Sequence, residues 1–248
     1  MNRMSYSVRT GRFAIARHLW HSSGVVVLWA GLLIFIMVTT VVISLFRDIE
    51  ISAWSASDSI PGWYMFGMGI YVTAVYLPMY LAHGITRREF ARQALLFGLV
   101  LVTVGAALMT LGFAVERLVY RVADWPQVAL DPAPRGLYDS ADQYGWIFLS
   151  FLLTFAVYHA VGAAIAAAFY RRVWGGLGGL LLIPLGLLLI TATATTGVTS
   201  APAGRLADVP AGDLGVPLII AVCVGAAVIA TAGAWALIRD LPVRTGRG

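Results

Sequence analysis

Residues 25–46 read VVVLWAGLLIFIMVTTVVISLF, a run of 22 residues without a single charged side chain. A helix needs about 20 mostly apolar residues to cross the roughly 30 Å of hydrocarbon in a bilayer. This stretch is too long, and begins too far along the chain, to be the apolar part of a cleaved signal peptide. It therefore predicts a first transmembrane helix.

Five further stretches of similar length and polarity follow. Together the predicted spans cover about residues 25–46, 62–82, 95–115, 146–170, 175–195 and 216–238. The predicted fold class is all-α: one polytopic transmembrane domain over residues 1–248, with a tail and an interfacial helix in residues 1–24. Tryptophan and tyrosine residues cluster near the predicted span ends, as expected of rings that favour the headgroup region.

The overall composition supports a membrane protein. Only 12% of the 248 residues are charged and 60% are apolar, whereas about a quarter of the residues in soluble domains are charged. The mean hydropathy is +0.83. Such a chain has more apolar surface than one compact core can remove from water.

The basic residues exclude several enzyme classes, because all 17 are arginine. A phosphate-binding P-loop, a kinase active site and a Schiff base each need a lysine. The single cysteine, Cys223, and the four histidines are too scattered for a zinc site. Ser150 lies too far from His159 on one predicted helix to be activated by it. We expect no catalytic residues, no cofactor and no metal in this chain.

The arginines also predict the orientation. Twelve of the 17 lie in the N-terminal tail, in the loops after spans two and four and in the C-terminal tail, whereas ten of the 12 acidic residues lie in the alternate loops. Positively charged loops stay in the cytosol. Both termini are therefore predicted to be cytosolic.

The segment before the first span has two interpretations. Residues 7–20 can form a helix at the cytosolic interface, with Ile15 and Leu19 on an apolar face and Arg17 near anionic lipid. The alternative is a disordered tail.

The segment from His83 to Phe90, HGITRREF, is the most informative short stretch. Gly84 can end the second span in a left-handed conformation. Thr86 and Glu89 have the spacing of a capping box that begins a new helix. The pattern predicts a tight turn that presents Arg87, Arg88 and Phe90 at the membrane surface. Alternatively, the segment is only a positive loop that sets the topology.

The sequence does not decide the roles of three other regions. The polar stretch 191–215, after the Gly-rich start of span five and Pro184, either folds back into the outer leaflet or is an extracellular coil. The outer loop 116–143 is long for a helix hairpin and has no assigned partner. Within it, Leu118, Val119, Val122 and Trp125 can form a short surface helix. His159 is expected to be a hydrogen-bonded structural or cavity-lining residue. Because no Asp, Glu or Arg lies well inside a predicted span, the energy for any transport is expected to come from another subunit.

This layout resembles the permease subunit of type-2 ATP-binding cassette (ABC) transporters, which have six spans, an interfacial helix and cytosolic termini. The HGITRREF segment is similar to the Gly-x-Ser/Thr-Arg-x-x-Phe turn through which those permeases contact their ATPase. The resemblance implies that Gly84, Thr86, Arg87, Arg88, Glu89 and Phe90 form an ATPase-coupling turn.

The resemblance further implies the partners and the location. They are a separate ATPase subunit that binds ATP, a second permease copy or a related permease, and the lipid of a bacterial plasma membrane, with no nucleic acid. It favours an exporter. The alternative from another class is a non-transporting assembly, anchoring or sensor subunit.

Overall fold

The computed structural model describes residues 14–49, 52–56, 59–126, 137–138, 140–171, 177–192 and 215–239, and every regular element within them is a helix. The α-helices are α1 (Ala14–Ser23), α2 (Val25–Ser44), α3 (Ala53–Ala56), α4 (Ser59–Tyr71), α5 (Leu77–Ala82), α6 (Arg87–Ala123), α7 (Tyr144–Arg171), α8 (Leu177–Ala192) and α9 (Val216–Arg239). A π-helical turn, Val72–Tyr76, joins α4 to α5. The prediction of an all-α fold is confirmed for these residues.

Five helical segments in the described part of the chain are long and apolar enough to cross a membrane. They are Ala16–Ser44, Ala53–Ala82, Arg87–Ala123, Tyr144–Arg171 and Val216–Arg239. The predicted fifth span, 175–195, overlaps α8, which has 16 residues and is therefore only about 24 Å long. The chain is thus built as a multi-pass membrane protein.

The N-terminal helix α1 overlaps the predicted interfacial helix, whose residues 7–13 lie outside the described residues. Gly24, with φ +62°, separates α1 from α2 in the left-handed conformation that glycine adopts most easily. Leu19 is fully buried, whereas Arg17, His18 and His21 are exposed. The helix therefore has one face packed on the protein and one polar face.

Helix α6 is much longer than the predicted span 95–115. Its 37 residues run from Arg87 to Ala123, a length of about 55 Å at 1.5 Å per residue. The predicted loop 116–143 is corrected accordingly, since its first eight residues are helical. The helix continues because Phe113, Glu116 and Tyr120 repeat every three to four residues on its buried face. It ends at Asp124, which has φ +57°.

The second long helical segment, Ala53–Ala82, is interrupted next to Pro78. Pro78 cannot donate a backbone hydrogen bond, and its ring crowds the carbonyl of Ala74, four residues earlier. The π-helical turn Val72–Tyr76 lies directly before it and widens the helix at that point. Helices α4 and α5 are therefore two pieces of one predicted span, joined by an irregular turn.

Helix α7 is the centre of the bundle and packs against α4, α6, α8 and α9. Its contact with α4 is close because glycine lies on both sides. A Cβ atom added at Gly69 would lie 2.1 Å from the carbonyl oxygen of His159, and one at Gly162 would lie 2.2 Å from that of Phe66. Small residues bring helix backbones together in this way in lipid.

Hydrogen bonds between helix ends define two faces of the bundle. The face that carries residues 83–86, here called the turn face, also carries α1 and the ends of α7 and α9: Ala16 N donates to Gln93 Oε1, Arg87 Nη1 to the Arg239 carbonyl, and Arg171 Nη1 to the Ala236 carbonyl, each at 3.3 Å. The opposite face carries α3, the end of α6 and the start of α7.

The predicted polar stretch 191–215 is outside the described residues except at its two ends. The same holds for residues 127–136 and 139 of the predicted outer loop and for the C-terminal tail, residues 240–248. Arg172, one of the twelve arginines that predict the orientation, also lies outside them.

Candidate functional site: the turn between α5 and α6

The turn begins with a helix end of the Schellman type. The amide of Ile85 donates to the carbonyl of Tyr80 at 3.1 Å, and the amide of Gly84 donates to that of Leu81 at 3.0 Å. Gly84 has φ +79°, where a side chain would strain the backbone. The predicted left-handed helix end at Gly84 is confirmed.

Thr86 then begins the next helix. Its Oγ1 atom accepts a 3.2 Å hydrogen bond from the amide of Glu89, and its carbonyl accepts one of 2.9 Å from the amide of Phe90. The predicted N-cap is therefore confirmed. The Glu89 carboxylate does not close the reciprocal half of the capping box, because it accepts a 2.6 Å hydrogen bond from Gln93 and lies 3.6 Å from Arg92.

The expected exposure of Phe90 is wrong. The side chain is only 2% exposed, and its ring centre lies 6.1 Å from that of Tyr80. Phe90, Gln93 and Phe97 recur at the helical spacing of the buried face. The residue types around Phe90 do not indicate which face of the helix it occupies. The prediction from the sequence therefore placed Phe90 on the exposed face instead of the buried one.

The arginines of the turn differ in exposure. Arg88 is exposed, and the Arg92 side chain is 78% exposed. Arg87 is half-buried and directs its guanidinium to the carbonyl of Arg239, at the end of α9. Of the predicted coupling residues, only Arg88 and in part Glu89 offer charge to a partner, while Gly84, Thr86, Arg87 and Phe90 shape and hold the turn.

Gln93 belongs to this site although it is not among the residues predicted from the sequence. The residue is 8% exposed. Its Oε1 atom accepts from the Ala16 amide at 3.3 Å, and its Nε2 atom donates to Glu89 Oε1 at 2.6 Å. The feature of the sequence that could have identified Gln93 is its position, three residues after Phe90 and four before Phe97. A polar side chain on a buried helical face needs hydrogen-bond partners.

A second polar cluster lies on the opposite face, where α3 docks on α6. The carboxylate of Glu116 is fully buried and accepts hydrogen bonds from Ser52 Oγ at 2.6 Å and from the Trp54 amide at 2.9 Å. The hydroxyl of Tyr120 accepts from the Ala53 amide at 3.2 Å. The sequence pattern predicts an outer loop at Glu116, and the burial of this acid on α6 corrects that prediction.

Trp54 fixes the position of α3 on α6. The indole is 1% exposed, and its Nε1 atom donates a 2.9 Å hydrogen bond to the carbonyl of Met109. The ring lies against Gly112, where an added Cβ atom would approach it to 2.1 Å. Glu116, Trp54 and Gly112 therefore form one interlocked contact.

The start of α7 joins the same face. Arg117 Nη1 lies 3.4 Å from the Tyr144 hydroxyl and 3.9 Å from Asp142 Oδ2. The hydroxyl of Ser140 donates to the other oxygen of Asp142, and this hydrogen bond, with help from Arg117, lowers the pKa of Asp142 below its ordinary value.

His159 lies in the middle of α7, against α6. Its Nε2 atom faces Gly98, where an added Cβ atom would be 2.8 Å away. Its Nδ1 atom is buried and has no hydrogen bond of normal geometry within the described residues, although the ring interacts with the backbone of Met65. The same part of the chain contains no group of three His, Cys, Asp or Glu residues able to hold a metal ion.

Comparison with known proteins does not assign the chain to a family. No family model, no curated protein and no solved structure matches it.

Proposed function

We propose that this chain is the permease subunit of a type-2 ABC transporter and that a separate ATPase subunit drives it through the turn between α5 and α6. The observation that carries the proposal is the turn itself. A Schellman end and an N-cap make it rigid, an exposed arginine projects from it, and two further helix ends are linked to the first turns of α6, α1 through Gln93 and α9 through Arg87. A rigid turn of this kind can transmit a displacement from a bound partner to the helices of the bundle.

The proposal includes six crossings with both termini in the cytosol. The ends of α7 and α9 lie on the same face, because Arg171 hydrogen-bonds the last turn of α9. The proposal therefore includes a further crossing between α7 and α9, and α8, whose 16 residues reach about 24 Å, is its described part. It packs on α7, since a Cβ atom added at Gly186 would lie 2.6 Å from Val161. The arginine distribution favours a cytosolic turn face.

The chemistry of the exposed residues indicates the partner surface. With Phe90 buried, the turn offers mainly the positive charges of Arg88 and Arg92, offset in part by Glu89. An ATPase surface rich in Asp and Glu would match them. Binding should weaken as salt rises, because exposed charges are screened within about 8 Å at physiological ionic strength. ATP binds the partner, and this chain needs no cofactor of its own.

The remaining parts of the proposal come from the resemblance. The permease acts with a second copy or a related permease in the plasma membrane of a bacterium, and it exports an amphiphile or a peptide. A binding assay with the intact chain separates this proposal from a non-transporting assembly, anchoring or sensor subunit, because only the permease depends on an ATPase.

The test is co-purification of an ATPase with the tagged chain from membranes of its natural host. Arg88→Glu should reduce the recovered ATPase by about tenfold or more, because a like charge at an interface costs several kcal/mol. Arg121→Glu is the matched control, since Arg121 is exposed at the other end of the same helix. Recovery of no ATPase by the wild-type chain, or equal recovery by both variants, would contradict the proposed contact.

A further inference from the structure

We propose that Gln93 and Arg87 are positioning residues that join the turn, α1 and the end of α9 into one mechanical unit. The role of that unit in coupling rests on the proposed function. The unit itself is a property of this chain and can be tested without any partner.

Gln93 makes the connection to α1. The first amides of a helix have no partner within it, and the amide of Ala16, in the first turn of α1, donates to Gln93 Oε1 at 3.3 Å. The other end of the same amide group donates to Glu89 Oε1 at 2.6 Å. One buried side chain therefore links the start of α1 to the first turn of α6, and Glu89 fixes its orientation.

Arg87 makes the connection to α9. The last carbonyls of a helix also have no partner within it and carry partial negative charge. Arg87 Nη1 donates to the carbonyl of Arg239, the last residue of α9, at 3.3 Å. Arg171 binds the carbonyl of Ala236 in the same turn. The end of α9 is thus held from α6 and from α7.

The irregular parts of the fold lie just outside this unit. On one side the π-helical turn before Pro78 separates α5 from α4. On another side Gly24 separates α1 from α2. Helix α6 itself continues from the turn without a break to Ala123. A displacement of the turn would therefore bend the chain at the π-helical turn and at Gly24. It would be transmitted along α6, which is continuous.

The experiment measures the distance between α1 and α6 in the purified chain. Spin labels are attached to cysteines at His21 and Leu95, both exposed, in a Cys223→Ala background. Gln93→Leu should increase the population with α1 undocked by about fivefold, the factor that corresponds to one ordinary hydrogen bond. Glu89→Gln keeps an acceptor for Gln93 Nε2 and leaves the Ala16–Gln93 hydrogen bond in place, so it should give a smaller change.

A second pair of labels controls for general unfolding. Leu99 on α6 and Phe169 on α7 are exposed and are not linked through Gln93. Their distance should be the same in wild type and Gln93→Leu. An unchanged distribution at His21–Leu95, or an equal broadening at both pairs, would overturn the inference.

A separate readout distinguishes positioning from a merely structural role. With the ATPase recovered as described above, Gln93→Leu should bind it at wild-type yield but lose most of the change in ATP turnover that assembly produces. If no ATPase is recovered, the proposed function fails while the spin-label result still decides whether the unit exists. Wild-type turnover in the Gln93→Leu complex would overturn the coupling role alone.

Discussion

The backbone amide of Trp54 donates a 2.9 Å hydrogen bond to the carboxylate of Glu116, which is fully buried. The other carboxylate oxygen accepts from Ser52. This contact fixes the short helix α3 to the end of α6 farthest from the turn. It places an acid inside the fold, where a charged group needs hydrogen-bond donors to offset the loss of water.

Replacement of Glu116 by leucine should destabilise the protein. The Ser52 hydroxyl and the Trp54 amide would each lose a buried acceptor, at about 1–3 kcal/mol apiece. For a chain of this size, that loss lowers the unfolding midpoint by about 2–4 °C per kcal/mol. Glu116→Gln keeps one acceptor and should cost less. Asp124→Asn is an exposed control that tolerates the left-handed backbone. A Glu116→Leu protein as stable as wild type would show that the contact contributes nothing.

Gly112 should not accept a side chain. An alanine Cβ atom there would lie 2.1 Å from the Trp54 ring, and overpacking of this kind costs about 1–3 kcal/mol. At Gly67 an added Cβ atom meets nothing within 4 Å, so Gly67→Ala should be neutral or slightly stabilising. Thermal unfolding of the two variants in detergent checks the prediction. It fails if Gly112→Ala is as stable as Gly67→Ala.

The N-cap at Thr86 should control the start of α6. Thr86→Ala removes the acceptor for the Glu89 amide and should cost about 1 kcal/mol. The measurement is hydrogen exchange at the amide of Glu89, which should become faster in Thr86→Ala and stay near wild type in Thr86→Ser. Equal exchange in all three proteins would mean that packing alone holds the helix end.

The two ends of α6 should lie on opposite sides of the membrane. Single cysteines at Arg88 and Arg121, both exposed, can be probed in a Cys223→Ala background with an impermeant thiol reagent. On intact cells, position 121 should react and position 88 should react only after the membrane is opened, because positive loops remain in the cytosol. The reverse labelling would overturn the proposed orientation.

The purified chain should not hydrolyse ATP. It has no lysine, and a P-loop needs one to bind the β- and γ-phosphates. A phosphate-release assay on material purified through two independent tags is the measurement. Turnover that stays proportional to this chain through both steps would contradict the prediction.

The existence of the five long apolar helical segments could be predicted from the sequence, because length and apolar character suffice to recognise a span. The helix caps at Gly84 and Thr86 could also be predicted, since both depend on local residue types. These features are decided by residues within a few positions of each other.

The rotation of each helix could not be predicted. In lipid, outward and inward faces are both apolar, so Val27 at 76% exposure and Leu101 at 0% look alike in the sequence. The burial of Phe90 could not be predicted for the same reason, because the sequence does not indicate the rotation of the helix. The partners of Gln93 and Glu116 could not be inferred either, because they are 77 and 62 residues away, at Ala16 and Trp54.

The length of α6 has a consequence for the outline of the molecule. A bilayer with its headgroups is about 40–45 Å thick, and a helix of 37 residues tilted by an average 20° still spans about 52 Å along the membrane normal. About 7–12 Å of α6, one to two turns, must extend beyond the headgroups. With the start of α6 at one membrane boundary, that excess projects from the opposite surface and carries Arg117 and Arg121. In the proposed orientation, impermeant reagents added outside the cell would therefore reach this end of α6.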